Sequence, residues 1–489
     1  MIFTSFQYIL FLPIIVALFW VLPKKFRLPM LLIASYGFYM SCIPAFIALI
    51  VPITIFNYLW GKVLHGTVQG TNKVLSPKQS LGIGIAVNLL VLAVFKYANF
   101  FVQSLAGIIG LATKHQPDWA INIILPLGIS FFTFEFIHYL FEIYRGNKPI
   151  DSFTLFALFA AFFPTQIAGP IKRYPDFVAQ MQADQKLKLS YFDEGIPLII
   201  VGMAKKLLLA DNLAILVDMG LKNPSSYGAP ELWLFAYAFA FQIYFDFSGY
   251  TDIGRGSAML FGYHIPINFN MPYIAKNISE FWHRWHISLS SWLRDYLFIP
   301  LGGSRGGKWL TNRNLFLTMA LGGLWHGASW NFVVWGVYHG LALIVHRQFV
   351  GYKEKMTQLK GLWESKFWNL FSIFITFQAV CVGWVFFRME NISQAFLVVR
   401  RMVLFSPILA RDEGHQFLIL RQDLPVIVPV TLTMVAALLL LNLPVSACHE
   451  KGWLKSAPAP LKAAFCSLLL ILIVTFMPDN SAPFIYFQF

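Results

Sequence analysis

Apolar runs separated by short basic or polar loops recur along the whole chain, near residues 6–22, 29–42, 43–60, 82–102, 121–143, 152–170, 193–218, 230–250, 314–346, 367–387, 425–444 and 461–477. An α-helix needs about 20 apolar residues to cross a hydrocarbon core of about 30 Å, so this pattern predicts about eleven to thirteen crossings or partial crossings. The more hydrophilic loops, 171–192, 349–366 and 403–424, are each shorter than the ~50 residues of an independent domain. Residues 1–489 therefore read as a single membrane domain. No motif repeats between the two halves, which weakens a transporter reading, since many transporters retain internal symmetry.

The first run, Tyr8 to Leu22, lacks the positive leader and small-residue cleavage site of a secretory signal and reads as a retained first span. It is followed by Lys24, Lys25 and Arg27, and positive residues beside a span stay in the cytoplasm, so the N-terminus is expected outside.

Composition agrees with that picture. Hydrophobic residues make up 57% of the chain and charged residues 12%, against about 25% charged in soluble domains. The net charge of +14 follows from basic cytoplasmic loops and anionic lipid surfaces, and with no RNA- or DNA-binding motif present it does not point to nucleic acid. Cys42, Cys381, Cys448 and Cys466 are far apart, without the CxxC spacing of a zinc or redox site, and are expected to be buried thiols.

Three places break the apolar pattern. From Asn314 to Val345 there is no Asp, Glu, Lys or Arg, yet "LGGLWHGASWNF" at 321–332 contains His326. One helix over this stretch would place that imidazole deep in the bilayer. A neutral imidazole can take a proton from an attacking hydroxyl, and Gly322, Gly323 and Gly327 let a substrate or another backbone approach, with Ser329 and Asn331 nearby. The competing reading is a histidine bridging two helices.

"NISEFWHRWHISLSSWLRDYLFIP", 277–300, predicts an amphipathic helix too polar for lipid, capped by Asn277 with Glu280 and stopped by Pro300, at the interface or lining something wet. His283 and His286 are three apart and project to one side, but no acidic or cysteine ligand has matching spacing, so no metal site is assigned. His286 reads either as a partner of a reacting group or as an interfacial residue among tryptophans. In "YFDFSGYTDIGRGSAMLFG", 244–262, the charges Asp246, Asp252 and Arg255 at the end of an apolar run read first as structural support through internal pairing.

"GGSRGGKW", 302–309, matches G-x-x-x-x-G-K, but Trp309 stands where a phosphate-binding loop needs Ser or Thr, and no strand precedes it. Arg305 and Lys308 in this turn are candidates for contact with lipid headgroup phosphates or with coenzyme A.

The segments "LPLGISFFTF" (125–134), "FFPTQIAGPIKRYPDF" (162–177), "DFSGYTDIGRGSAMLFG" (246–262), "FWHRWHISLSSWLRDYLFIPLGG" (281–303), "LGGLWHGASWNFVVWGVYHG" (321–340), "VGWVFFR" (382–388) and the ending "FIYFQF" resemble membrane-bound O-acyltransferases. More narrowly, they resemble the bacterial alginate O-acetyltransferase branch. This resemblance implies an all-helical, multi-pass protein of the bacterial inner membrane, with eleven or so spans and re-entrant and interfacial pieces around a pore or funnel. It implies that His326 is the catalytic histidine and His286 the second one, with Trp282, Trp285 and Trp325 walling the pocket.

The activity so implied is transfer of acetyl from cytoplasmic acetyl-CoA, with no tightly bound cofactor, toward an extracytoplasmic polysaccharide or an acetyl-carrying partner protein. D-alanyl transfer to teichoic acid, or acetylation of peptidoglycan or cellulose, remains open as the acceptor chemistry. Transport is the non-enzymatic alternative.

Overall fold

The computed structural model describes residues 1–113, 119, 121, 123–167, 169–405, 457–478 and 482–487. The apolar run 425–444, most of the loop 403–424, and Cys448 lie outside the described residues. Every regular element described is helical, as the apolar periodicity predicts. Among the described residues, four helical stretches are long and apolar enough to cross a membrane: Pro44–Val68, Pro77–Gly110, Lys366–Arg388 and Ala459–Phe476. Several of the other apolar runs fold as shorter or interrupted helices. The run 152–170, for example, yields only a nine-residue helix, Phe153–Ala161.

The chain forms two compact units, each assembled from two stretches of sequence: Met1–Ile199 with Ile253–Pro266, and Ile200–Asp252 with Ile267–Phe489. The first unit holds α1 (Phe6–Val21), α2 (Lys24–Met40), α3 (Ile47–Val68), α4 (Pro77–Leu92), α5 (Ala98–Thr113), α6 (Ile129–Tyr144), α7 (Phe153–Ala161) and α8 (Tyr174–Gln182). Its helices start where capping residues stand: Ser5 accepts from the Tyr8 amide, and Ser76 with Gln79 closes a capping box at α4.

Polar side chains buried in this unit pair with one another. Asn57 and Asn88 exchange hydrogen bonds of 3.0 and 2.8 Å between α3 and α4. The Lys172 ammonium donates to Glu135 at 2.6 Å and to the Thr165 hydroxyl at 2.8 Å. Such pairing is what a low-dielectric interior demands of charge.

Helix α9 (Leu189–Ala204) leads into the second unit, which continues through α10 (Asp211–Lys222), most of α11 (Ala229–Met259), α12 (Ile278–Arg284), α13 (Ile287–Leu293), α14 (Lys308–His326), α15 (Trp330–Lys355), the single turn α16 (Lys360–Trp363), α17 (Lys366–Arg388), α18 (Ile392–Leu404) and α19 (Ala459–Phe476). The charges of the 244–252 stretch serve as internal support, in line with the sequence: Asp252 accepts from Lys205 at 2.7 Å, and Asp246 forms an ion pair with Lys206 at 2.9 Å.

Two expectations change here. The uncharged stretch 314–346 is not one crossing helix. Helix α14 ends at His326, the chain turns through residues 327–329, and α15 runs back against α14. At 1.5 Å per residue the arms are about 28 and 39 Å long. Close approach of the arms explains their glycines: a Cβ on Gly323 would stand 2.3 Å from the Phe332 carbonyl oxygen, and one on Gly336 2.4 Å from that of Met319. The basic ends of both arms, with Lys308 and Arg313 on one and Arg347, Lys353 and Lys355 on the other, come together at the open end of this hairpin, where Arg347 reaches Asn312 at 3.3 Å.

The segment 277–300 is likewise not one helix. Asn277 caps α12 as expected, its side-chain oxygen accepting from the Glu280 amide at 2.8 Å. The helix then breaks at Trp285 and His286, and α13 begins anew. Of the described thiols only Cys381 is buried; Cys42 and Cys466 are half-buried, which corrects the expectation for those two.

Candidate active site

The break between α12 and α13 turns two histidines of one motif apart. His283 is exposed, its Nδ1 2.7 Å from the Ser279 carbonyl oxygen, while His286 is fully buried. They do not share a face, and no group of three metal-ligating side chains occurs among the described residues. His286 holds the left-handed backbone conformation, φ 44° and ψ 55°, which is uncommon outside glycine and costs on the order of 1 kcal/mol. Neither of its ring nitrogens has a hydrogen-bond partner among the described residues. Burial pushes its imidazole down to about 3, so at neutral pH it is uncharged.

At the hairpin tip, His326 is surrounded by rings. Its imidazole centre lies 5.0 Å from Trp325, 5.0 Å from Trp335, 5.3 Å from Phe387 and 5.7 Å from Tyr486. Both imidazoles are buried, His326 at 5% exposure and His286 at 0%. The two histidines share neighbours: Trp325 is 6.5 Å from His286, and Phe247 stands 4.7 Å from His286 and 4.5 Å from Tyr486. A buried aromatic cluster results around both imidazoles, in which a polar interaction is worth more than in water.

The remaining sequence candidates fall in different places. Trp325 lines the pocket. Trp282 lies one ring away, 5.6 Å from Trp335. Trp285 packs against Trp384 at 4.8 Å and Phe269 at 5.0 Å, on an aromatic core beside the site. Ser329 caps α15 by accepting from the Asn331 amide at 3.2 Å, and the Asn331 side chain donates to the Met389 carbonyl, which ties the hairpin tip to the end of α17.

Arg305 is exposed in a turn where Gly302, Gly303, Gly306 and Gly307 all take positive φ. Lys308 lines a crevice of about 510 Å³ with Asn312, Arg347 and Lys355 at the open end of the hairpin.

Two groups at this site were not singled out in the sequence. His339, on α15, is fully buried between Trp335 at 4.9 Å and Trp282 at 5.1 Å, with neither ring nitrogen hydrogen-bonded among the described residues. The signal for it was present, since it lies in the same uncharged stretch as His326. Tyr486 reaches the pocket from the end of the chain, and its hydroxyl is buried without a partner among the described residues. Nothing in a local window announces that placement.

Chemically, the cluster brings together an imidazole, a neutral second imidazole and a phenol, all walled by aromatic rings. That set suits proton transfer during attack on an acyl carbon.

Comparison with known proteins agrees with this chemistry. Residues 145–384 match the membrane-bound O-acyltransferase family, a range that includes His286, His326 and His339 and stops short of Tyr486. The chain is 42% identical over 401 residues to a Pseudomonas aeruginosa protein named "Probable alginate O-acetylase", covering 81% of this chain and 74% of that one. It is 36% identical over 400 residues to the peptidoglycan O-acetyltransferase of Helicobacter pylori, covering 76% and 73%. With the teichoic acid D-alanyltransferase of Bacillus subtilis it shares 29% over 394 residues, covering 76% and 96%. The chain is an O-acyltransferase and belongs to the membrane-bound O-acyltransferase family.

Proposed function

We propose that this enzyme is a multi-pass O-acetyltransferase of the bacterial inner membrane that takes acetyl from cytoplasmic acetyl-CoA and passes it toward an extracytoplasmic, alginate-like polysaccharide or an acetyl-carrying partner protein. The observation that carries the reading is His326, a buried imidazole ringed by aromatic side chains at the tip of a hairpin within an uncharged stretch. Acetyl-CoA is highly charged and cytoplasmic, whereas an exopolysaccharide lies outside. An imidazole sheltered between the two compartments can serve both.

In this reading His326 takes the proton of the acceptor hydroxyl as its oxygen bonds to the acetyl carbonyl carbon. The carbon–sulfur bond breaks, and the proton passes to the departing thiolate. The neutral His286 orients the reacting groups and does not act as an imidazolium acid. Trp325 and Trp335 exclude water that would hydrolyse the thioester, and Trp282 and Trp285 support that wall from behind. Lys308, with Arg347 and Lys355 in the basic crevice, meets phosphates of lipid headgroups or of CoA, and Arg305 extends this basic surface.

Relatives named for alginate at 40–42% identity support the alginate-like acceptor over the peptidoglycan relative at 36% and the D-alanyl transferase at 29%. The test uses proteoliposomes given labelled acetyl-CoA on the cytoplasmic face. Release of free CoA with label in an added polysaccharide or partner supports the reading, and passage of intact acetyl-CoA or another solute without thioester cleavage refutes it.

A further inference from the structure

The tail that brings Tyr486 to His326 is held by a buried cluster of charges. Lys206, 6% exposed, forms ion pairs with Asp211 at 2.7 Å and Asp246 at 2.9 Å and donates to the backbone carbonyl of Ala482 at 2.8 Å. The second oxygen of Asp246, itself 2% exposed, accepts the backbone N–H of Ile485 at 2.7 Å. One ammonium and one carboxylate thus grip the tail backbone at two points. Both lie at most four residues from Tyr486.

Side chains complete the grip. Phe484 and Ile485 are 3% and 2% exposed, and the Phe484 ring stacks on Tyr250 at 4.3 Å. Asn212 also donates to the Phe476 carbonyl at 3.1 Å, fixing the end of α19 from which the tail departs.

We infer that Lys206 and Asp246 are positioning residues of the acyl-transfer site: they clasp the backbone at Ala482 and Ile485 so that the Tyr486 ring stands beside that of His326. Backbone contacts fix where the chain runs whatever its side chains, so the clasp sets the depth of Tyr486 while the Phe247 and Phe484 rings set its tilt. A buried ammonium paired with two carboxylates and bonded to a carbonyl is a fixed arrangement rather than a surface pair that opens with salt. The inference rests on the acyl-transfer reading for its catalytic consequence, but not for its structural one.

The test compares the full-length protein in nanodiscs with Lys206→Met, Lys206→Arg and Ile485→Pro. The last removes the N–H that Asp246 accepts together with part of the buried Ile485 side chain, at the first position of a short helical turn where proline fits, and leaves the Lys206, Asp211 and Asp246 side chains unsubstituted should Lys206→Met fail to fold. Hydrogen exchange of the peptide spanning 482–487 should speed up on the order of tenfold in Lys206→Met and Ile485→Pro. Acetyl transfer should fall in kcat on the order of tenfold to a hundredfold, as small displacements of reacting groups do, with KM for acetyl-CoA little changed. Lys206→Arg, which keeps the charge, should retain more of both properties than Lys206→Met.

Unchanged tail exchange in folded Ile485→Pro overturns the clasp, and unchanged or increased kcat with a released tail overturns its positioning role. If the wild-type protein transfers no acetyl at all, the acyl-transfer reading fails, and the exchange arm still decides the clasp.

Discussion

The ring of Tyr486 lies 5.7 Å from that of His326 with the two planes inclined at 49°, although one ends a helix in the middle of the chain and the other belongs to its last described turn. The phenolic oxygen is buried and has no hydrogen-bond partner among the described residues. A buried hydroxyl without a partner costs stability, on the order of 1–3 kcal/mol. The ring that carries it stands beside His326, which fits a role in the reaction rather than in folding.

Tyr486→Phe separates those roles, because it keeps the ring contacts with Phe247 and His326 and removes only the oxygen. The melting temperature should stay level or rise slightly, since no hydrogen bond is lost. Acetyl transfer should fall by on the order of tenfold or more, the usual scale for losing one group that acts on the reacting atoms. Full activity in the Phe variant would leave Tyr486 a packing residue.

His286 yields a prediction about pH. Its imidazole is pushed down to about 3 by burial, below its ordinary value of 6.5. A histidine whose folded value is depressed favours the folded state above the unfolded value, and that contribution is lost as pH falls from about 6.5 toward 3, because the unfolded chain binds a proton that the folded one does not. Compared with His286→Asn, which does not titrate and tolerates the left-handed backbone, the wild type should lose stability below pH 6.5 at up to about 1.4 kcal/mol per pH unit. Parallel denaturation curves at pH 7.5, 6.5 and 5.5 check this. Wild-type and variant midpoints that keep a constant offset would contradict it.

The hairpin tip depends on close contact of its arms. Gly323→Val adds atoms where even a Cβ would meet the Phe332 carbonyl oxygen at 2.3 Å. The arms must separate, with a loss of about 1–3 kcal/mol as in other overpacked cores. Thermal unfolding should show it, with transfer activity falling as His326 shifts. A variant as stable as the wild type would mean that the arms do not pack as described.

Much of this was readable in the sequence, and the failures have physical causes. His326 stood out because an imidazole in a charge-free stretch needs a reason, and the same polarity rule applied to His339 would have found it as well. The turn at 327–329 also carried its signals, a glycine after the last helical residue and Ser329 as the cap of the next helix, but the uninterrupted apolar pattern masked them. The break at His286 was not legible, because a non-glycine residue in the left-handed region is imposed by tertiary packing and leaves no local mark. Neither was the tail. Its docking depends on Lys206, Asp211 and Asp246, which are remote in sequence from Tyr486 and which read locally as helix supports.

If His326 performs the acyl transfer, the acetyl content of surface polymers will show it, compared polymer by polymer in cells that make the wild type or His326→Ala at equal levels in the membrane. The substitution removes a 5% exposed ring from an aromatic pocket, and the protein should stay folded. Acetylation of one polymer should disappear in the variant while the protein remains. Undiminished acetylation by a folded His326→Ala protein would contradict the account.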